Sequence, residues 1–250
     1  MRILLCNDDG YRAPGLNALY HAIEDLADVI VIAPEHNCSS ARQSLSLTRP
    51  LKVERAPNGF FYLNGTPADC VHLALHGFLD DLPDLVISGI NHGANLGEDT
   101  IYSGTVAAAI EGHLRGIPAL ASSFCCGHQA RHLKIHDFEK AAILVRDVVL
   151  KMIAKPKPWL LNLNIPMVDV IQGIKITKLG RRKSAGSAIA TDSPRDGVLF
   201  WIGHVGEPLI EEADTDFYAI SQHYASLTPL QIDLTHHTHL NALNDWMNNA

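Results

Sequence analysis

The chain has 250 residues and a formal net charge of −7, with 47% hydrophobic and 19% charged residues. This acidic balance argues against a surface that coats nucleic acid, because such a surface is basic. No apolar run reaches the roughly 18–20 residues that a membrane-spanning helix needs, and Asp8 and Asp9 interrupt the first apolar stretch before it could act as a secretion signal. We therefore expect a cytoplasmic protein with one large domain and no nucleic-acid or membrane partner.

Short aliphatic runs alternate with amphipathic stretches through the first two thirds of the chain. This pattern is typical of a parallel sheet covered by helices. The predicted strands are residues 3–6, 29–33, 85–88, 119–122 and 160–165, and the predicted helices are residues 15–26, 68–79, 104–115 and 137–153. Residues 1–167 are therefore expected to form a three-layer α/β core.

The pattern changes after residue 167. Residues 174–179 and 198–204 are predicted strands, joined by a polar loop at 181–196. The stretches 214–224 and 227–234 follow, and a helix is predicted at 240–247. We interpret residues 168–250 as a β extension that packs on the main domain or on a partner subunit, so that residues 1–250 form one domain.

The cysteines and histidines form no recognisable metal or disulfide framework. The five cysteines are odd in number and include no CxxC pair, which favours reduced thiols. His236, His237 and His239 lie close together, but they lack the i, i+4 spacing with a glutamate that zinc hydrolases use. A polar segment is the simpler interpretation of this cluster, with a metal site as the alternative.

Two adjacent carboxylates, Asp8 and Asp9, follow the first predicted strand and precede Gly10. The carboxyl ends of strands in a parallel α/β sheet are where ligands bind. Paired carboxylates repel each other unless a cation or hydrogen-bond donors lie between them. One such aspartate could equally cap a turn, but two together favour a metal site, and carboxylate ligands favour Mg²⁺ or Mn²⁺.

Three more polar segments follow predicted strands or open a helix, and should reach the same edge of the sheet. They are residues 34–44 with Ser39, residues 89–97 with Asn91, and residues 102–105. Free N–H groups in the first turn of a helix can bind an anion, although an ordinary turn and an ordinary helix start would also explain these segments. Together with a metal they indicate phosphoryl transfer or phosphoester hydrolysis. The sequence has no GxxxxGK[ST] motif and no GxGxxG after the first strand, which argues against a P-loop ATPase and a dinucleotide-binding enzyme.

Seven motifs in order resemble SurE, the survival-protein family of metal-dependent nucleotide phosphatases. They are NDDG at 7–10 with PG at 14–15, AP at 33–34 with the Ser39 loop, NGTPADC at 64–70, SGINHGAN at 88–95, SGT at 103–105, NLNIP at 162–166 and SLTPL at 226–230. The resemblance implies a Rossmann-like domain and a 5′/3′-nucleotidase that releases phosphate from nucleoside monophosphates, with short polyphosphate as a further candidate substrate. It also implies homodimers or homotetramers in which the C-terminal β extension and last helix are exchanged or packed between subunits.

The resemblance further implies one divalent metal per subunit, held by Asp8, Asp9, Ser39 and Asn91. We predict that the substrate phosphate binds this metal and the start of the helix at Ser103, with Asn95, Ser103, Gly104 and Thr105 as its contacts. Either Asp8 or Asp9 could orient or deprotonate the attacking water, and the sequence leaves this choice open. A nucleotide sensor without turnover and an α/β transferase are the alternative functions.

The chain departs from the family pattern beside Ser39. Cys38 stands where many relatives have an arginine or lysine, and Arg42 occupies a position that is usually small or polar. We hypothesise that Arg42 restores a positive charge at the mouth of the substrate site.

Overall fold

The computed structural model describes residues 1–38, 44–127, 132–192, 197–203, 205–210 and 212–248. Its strands are β1 (Arg2–Cys6), β2 (Asp28–Pro34), β3 (Val53–Arg55), β4 (Phe61–Leu63), β5 (Leu85–His92), β6 (Ala119–Cys125), β7 (Leu160–Pro166), β8 (Ile174–Ile176), β9 (Ile189–Asp192), β10 (Val198–Trp201) and β11 (Ala225–Pro229). Its α-helices are α1 (Pro14–Ile23), α2 (Pro67–Leu73), α3 (Gly104–Leu114), α4 (Glu139–Ala154), α5 (Asp216–Ser221) and α6 (Leu240–Asn248). A π-helical turn (Ala74–Phe78) extends α2, and 3-10 turns cover Gly97–Tyr102, Ile135–Phe138 and His237–His239.

The main sheet has the strand order β3-β4-β2-β1-β5-β6-β7-β11-β8 among the described residues. The central strands β2, β1, β5, β6 and β7 are all parallel, whereas β3 and β11 run antiparallel to their neighbours β4 and β7. Helices α1 and α4 pack together, as do α2 and α3. The predicted α/β fold with a mostly parallel sheet is confirmed.

Strand β1 shows how the sequence builds two cores on one sheet. Side chains of successive strand residues point to opposite faces. Ile3 and Leu5 accordingly belong to the core that contains the buried side chains of α1 and α4. Leu4 and Cys6 belong to the core formed with α2 and α3. Because both faces of β1 are buried, the strand is apolar throughout, as is usual in parallel sheets.

The predicted elements of the first 167 residues all occur, with boundaries that shift by a few residues. The prediction missed β3 and β4, which have three residues each and lie at one edge of the sheet. It was also wrong in treating residues 181–196 as a loop throughout, because β9 lies within that range and pairs antiparallel with β10. Such short strands carry too few residues to show a period of two.

The C-terminal part of the chain contributes in two ways. Strands β8 and β11 hydrogen-bond to each other, and β11 pairs with β7, so both extend the main sheet. The pair β9–β10 forms a separate two-stranded sheet. None of the helices in the described ranges combines the length and the apolarity needed to cross a membrane.

Candidate metal and phosphate site

The sequence predicted a set of metal-binding and phosphate-binding residues, and those that the structure describes lie at one edge of the main sheet. Asp8 and Asp9 follow β1, Asn91 lies near the end of the adjacent strand β5, and Ser103 is the N-cap residue of α3. Successive side chains continue to point to opposite faces of the sheet beyond the end of β1. Asp8 is directed toward Thr105 in α3, whereas Asp9 contacts Asn37 and His92. The two adjacent carboxylates therefore have separate sets of supporting groups.

Asp8 is 4% exposed, and its Oδ1 accepts a 2.6 Å hydrogen bond from the Thr105 hydroxyl. Burial, together with the nearby charge of Asp9, raises the pKa of Asp8 to about 6, and the Thr105 hydroxyl opposes the shift. Burial disfavours the charged form of a carboxyl, as does a neighbouring like charge. Without a cation, Asp8 is therefore a carboxylate in an unfavourable environment.

Gly104 allows α3 to approach Asp8 this closely. A Cβ at residue 104 would lie 3.0 Å from the Asp8 Cβ and 3.1 Å from its Oδ2. The backbone N–H of Thr105 also lowers the pKa of Asp8. Asp8 therefore occupies part of the anion-binding position that the free N–H groups of a helix N-terminus provide.

Asp9 is held by two donors that the sequence analysis did not identify. Its Oδ1 accepts a 2.9 Å hydrogen bond from the Asn37 side-chain amide, and its Oδ2 accepts a 2.8 Å hydrogen bond from the backbone N–H of His92. Burial raises the pKa of Asp9, and these two bonds oppose the shift. The bonds fix the orientation of the carboxylate, while Asp9 still lines a cleft.

Asn91 and Ser103 are oriented by contacts with their own segments. The Asn91 Nδ2 donates to the Gly93 carbonyl across 2.9 Å, which identifies the other end of the amide as the oxygen that a cation could bind. Ser103 caps α3, since its Oγ accepts a 3.1 Å hydrogen bond from the Val106 N–H. Its hydroxyl proton is not used in that bond.

Asn95 is part of a buried network of amides. Its backbone N–H donates to the Asn164 Oδ1 at 2.8 Å, and its side-chain Nδ2 donates to the Ser123 Oγ at 2.8 Å. Its carbonyl accepts from the side chains of Asn162 and Asn164 at 2.8 and 3.0 Å. These bonds fix Asn95, which the sequence predicted as a phosphate contact. One of its two Nδ2 hydrogens is already donated to Ser123.

Ser39 and Arg42 lie outside the described residues, but both flanks of their segment are anchored. On one side, the Cys38 N–H donates to the Asp8 carbonyl across 2.7 Å. On the other, the Asp69 carboxylate accepts from the N–H and the hydroxyl of Ser46 at 2.7 and 2.8 Å. Asp69 also forms a capping box with Thr66 at the start of α2, where the sequence predicted Thr66 as the cap.

The donor set fits a hard divalent cation. Asp8, Asp9 and Asn91 offer oxygen atoms, and within the described ranges no lysine or arginine forms a salt bridge with either aspartate. The Asn7 Oδ1 is buried, with no hydrogen-bond partner in the same ranges. No cluster of three or more His, Cys, Asp or Glu side chains there has the arrangement of a metal site. A cation bound here would need amide or hydroxyl oxygens in addition to the two carboxylates.

The family model described as survival protein SurE matches residues 3–186. The chain belongs to the SurE family. Among curated relatives, the 5′-nucleotidase SurE of Methylobacillus flagellatus is 51% identical over 251 residues, which cover 99% of both chains. The 5′-nucleotidase SurE of Albidiferax ferrireducens is 51% identical over 246 residues, which cover 96% of this chain and 95% of that protein. The crystal structure of the SurE protein from Aquifex aeolicus matches with a TM-score of 0.86 and 39% identity, over 99% of this chain and 100% of that one.

In this SurE-family chain, a cleft of about 350 Å³ opens beside Asp9. Asn37 and His92 contribute polar groups to its wall, and the remaining lining is Ala13, Pro14, Gly15, Leu133 and Phe138. The sequence carried no signal for the Asn37 contact, because Asn37 and Asp9 are 28 positions apart. The cleft gives the carboxylate access to solvent and to a bound molecule.

Proposed function

We propose that this SurE-family protein is a metal-dependent phosphomonoesterase that hydrolyses nucleoside 5′- and 3′-monophosphates to nucleoside and phosphate, with short polyphosphate as a further substrate. The name 5′-nucleotidase SurE, carried by both curated relatives, supports the reaction class. The observation that carries the proposal is the pair Asp8 and Asp9, whose pKa values are both raised by burial beside the first turn of α3. A cation relieves this electrostatic cost and attracts a phosphate.

The proposed cofactor is one Mg²⁺ or Mn²⁺ per subunit, held by Asp8, Asp9, Asn91 and Ser39. These side chains provide carboxylate, amide and hydroxyl oxygens, which are the ligands such ions prefer. When bound, the cation neutralises charge on the substrate phosphate and lowers the pKa of a nearby water.

The first turn of α3 is proposed to hold the phosphate. The Thr105 hydroxyl proton is donated to Asp8, so we assign the Gly104 N–H and the Ser103 hydroxyl to the phosphate oxygens. The second Nδ2 hydrogen of Asn95 supplies another donor, since an amide NH₂ carries two. These groups would stabilise the charge that phosphate oxygens gain in the transition state.

We assign different roles to the two carboxylates. Asp8 is the more buried of the two and accepts a hydrogen bond from Thr105 in α3, so we assign it the role of a fixed ligand for the cation. Asp9 lines the cleft in a fixed orientation, which suits a group that orients the attacking water and accepts its proton. The water oxygen would then form the new P–O bond while the ester P–O bond breaks, and the proton taken up by Asp9 would pass to the leaving nucleoside oxygen.

The proposed homodimer or homotetramer is supported by exposed apolar side chains in the C-terminal part of the chain. Phe200 and Trp201 in β10 are 69% and 68% exposed, and Leu243 and Trp246 in α6 are 57% and 70% exposed. Several large apolar side chains exposed on one strand and on one helix are typical of interfaces, and a second copy of this chain is the proposed occupant. Trp246→Glu with Phe200→Glu should lower the mass measured by light scattering, whereas an unchanged mass would reject these surfaces as the interface.

The decisive experiment measures phosphate released from AMP, GMP, 3′-AMP and tripolyphosphate, with Mg²⁺, Mn²⁺ or EDTA. We expect release that depends on the metal and is abolished by Asp8→Asn or Asp9→Asn while the circular dichroism spectrum is retained. Near-parental activity of Asp8→Asn with Mn²⁺ would overturn the site. Binding of AMP without any phosphate release would instead indicate a nucleotide sensor.

Arg42 has its own test. If its charge lies at the mouth of the site, Arg42→Ala should lower kcat/KM for nucleoside monophosphates, because less charge attracts the substrate. The matched control is Arg49→Ala, which removes another exposed arginine that donates to the Asn64 carbonyl. Equal kcat/KM values for Arg42→Ala and the parent would reject the role of Arg42.

A further inference from the structure

A short 3-10 turn joins two residues that we assign to the substrate phosphate. The turn covers Gly97–Tyr102, so Asn95 lies just before it and Ser103 just after it. Hydrogen bonds in 3-10 turns have poorer geometry than those in α-helices, and the bond from the Ser103 N–H to the Thr100 carbonyl is 3.4 Å long. The position of Ser103 relative to Asn95 therefore depends on what else holds this turn.

Arg182, from the C-terminal part of the chain, holds the middle of the turn through a bidentate ion pair. Its Nη2 lies 2.6 Å from the Asp99 Oδ2, and its Nε lies 3.2 Å from the Oδ1 and 3.1 Å from the Oδ2 of the same carboxylate. The backbone N–H of Arg182 also donates to the Glu98 Oε2 at 2.9 Å. A bidentate contact fixes geometry as well as supplying energy, so the turn cannot shift without breaking it.

The Arg182 side chain is itself fixed by groups outside the turn. Its Nη1 donates to the Gly206 carbonyl at 3.0 Å, and its Cζ lies 4.7 Å from the centroid of the Phe217 ring. The side chains of Arg182 and Asp99 are 19% and 29% exposed. An ion pair with bidentate geometry and restricted exposure contributes more than a mobile surface pair.

A second contact holds the beginning of the turn. The Asp216 Oδ2 accepts a 2.7 Å hydrogen bond from the Gly97 N–H. Gly97 has φ +51°, and a Cβ at this residue would lie 2.6 Å from the Gly180 carbonyl oxygen. Asp216 thus holds the first residue of the turn, and Arg182 holds the two residues that follow. The C-terminal part of the chain therefore determines the path between the two phosphate contacts.

We propose that Arg182 is a positioning residue for phosphate binding, because it fixes the turn that places Ser103 and Gly104 relative to Asn95. This inference rests on the proposed phosphate site at the start of α3. Arg182 acts through Asp99 and the turn rather than by touching the substrate. A displacement of about 1 Å in groups that position a substrate can cost about 100-fold in rate, so the ion pair influences catalysis from outside the site.

Two other roles for Arg182 predict different results. A general attraction of anions depends on its charge alone, and a purely structural role affects stability alone. Arg182→Lys keeps the charge but cannot form the bidentate contact, whereas Arg182→Gln loses both. The matched control is Arg146→Gln, which removes an arginine that donates to both carboxylate oxygens of Asp25, close to the start of β2 and thus at the opposite edge of the sheet from the site.

The first experiment titrates the Mg²⁺-loaded protein with inorganic phosphate and follows the backbone amides in ¹H–¹⁵N spectra, so it requires no turnover. We expect the Gly104 amide of the parent to shift. The phosphate Kd should rise roughly 10-fold in Arg182→Gln, as when one hydrogen bond to a charged group is lost, and by a smaller factor in Arg182→Lys. Mn²⁺ affinity measured by calorimetry should stay at the parental value in both, and Arg146→Gln should retain the parental phosphate Kd.

Phosphate release from AMP supplies a second readout. For the folded fraction of Arg182→Gln, kcat/KM should fall roughly 10- to 100-fold. Asp99→Asn should give a similar loss, and the double variant should lose little more than either single variant, because both residues act through one ion pair. If Arg182→Gln does not fold, Arg182→Lys and Asp99→Asn provide the same test.

The outcomes separate this inference from the proposed function. A parental phosphate Kd in Arg182→Gln would overturn the positioning role and leave the phosphate site intact. A parental Kd in Arg182→Lys would overturn it too, since charge alone would then explain the effect. If the Gly104 amide of the parent does not respond to phosphate, the proposed phosphate site itself is wrong, and the role of Arg182 falls with it.

Discussion

The Thr105 hydroxyl donates to the Asp8 carboxylate across 2.6 Å, and the two residues are 97 positions apart in the chain. This bond joins the end of β1 to the first turn of α3. It connects the carboxylate that we propose as a cation ligand to the helix that we assign to the phosphate, so a change in either element should affect both proposed functions.

Thr105→Val is expected to weaken metal binding and catalysis without unfolding the chain. Valine has nearly the same shape but no hydroxyl, so the pKa of Asp8 should rise above about 6 and its charged form should become less populated. A hydrogen bond to a charged group contributes about 1.5–3 kcal/mol, which corresponds to a roughly 10- to 100-fold loss in kcat/KM. Mn²⁺ titration calorimetry and phosphate release measure the two effects.

Thr177→Val is the matched control for this change. In the parent chain, the buried hydroxyl of Thr177 forms a 2.7 Å hydrogen bond with the Thr228 hydroxyl at the far side of the sheet. This variant should lower the free energy of unfolding while Mn²⁺ affinity stays at the parental value. Parental Mn²⁺ affinity in Thr105→Val as well would show that the hydroxyl does not tune Asp8.

Asp8→Asn should stabilise the metal-free protein at neutral pH while abolishing activity. Because the pKa of Asp8 is raised from 3.8 to about 6, its contribution to stability is fully present below pH 3.8 and is lost as the pH rises through 6. At about 1.4 kcal/mol per pKa unit, the loss at pH 7.5 is at most about 3 kcal/mol. The asparagine variant avoids this loss.

Thermal unfolding in EDTA between pH 3.5 and 8 tests this pH dependence. The Tm of Asp8→Asn should exceed that of the parent by up to roughly 6–12 °C at pH 7.5, and the difference should vanish near pH 3.5. Adding Mn²⁺ should raise the Tm of the parent more than that of the variant, since the cation binds only the folded site. A parental Tm equal to or above that of the variant in EDTA at pH 7.5 would contradict the raised pKa.

Gly104→Ala should reduce activity more than stability. Its Cβ would lie 3.0 Å from the Asp8 Cβ and 3.3 Å from the Pro67 Cγ, so the first turn of α3 must move away from Asp8. We expect kcat/KM to fall at least about 10-fold, consistent with misplaced donors.

Gly112→Ala in the same helix should instead reduce stability more than activity. Its Cβ would lie 2.7 Å from two atoms of the Val86 side chain, inside the core and two turns away from the site. Overpacking of this kind costs typically about 1–3 kcal/mol. Urea unfolding should show the loss for Gly112→Ala, with kcat/KM of the folded fraction unchanged. If the two variants lose activity equally, close approach of α3 to Asp8 is not the reason.

Asp216→Asn should destabilise the protein and loosen the segment that follows Asn95. The buried Asp216 carboxylate accepts hydrogen bonds from the N–H groups of Gly97 and Gly180, at 2.7 and 2.8 Å. A side-chain NH₂ would face one of these donors, and each unsatisfied buried group costs about 1–3 kcal/mol. Urea unfolding measures this loss. Asp233→Asn, which removes an exposed partner of His237, is the control and should change stability little.

The local sequence determined the central part of the fold and the general place of the site. Buried strands such as β1 and β5 are recognisable because both of their faces are apolar. The step from Cys6 to Asp8 and Asp9 marks the end of such a strand, and the carboxyl ends of parallel strands share one edge of the sheet. The short strands β3, β4 and β9 have no comparable pattern, because a three- or four-residue strand needs pairing with a neighbour to be identified.

Only the tertiary structure decided what each polar side chain contacts. Thr105, predicted as a phosphate donor, gives its hydroxyl proton to Asp8, and the Asn95 amide donates to Ser123. Asn37, which the sequence did not distinguish from other loop residues, orients Asp9. A hydroxyl or amide can serve several partners equally well, and the choice depends on which groups the packed helices and strands bring within 3 Å, across separations of 28 to 97 residues.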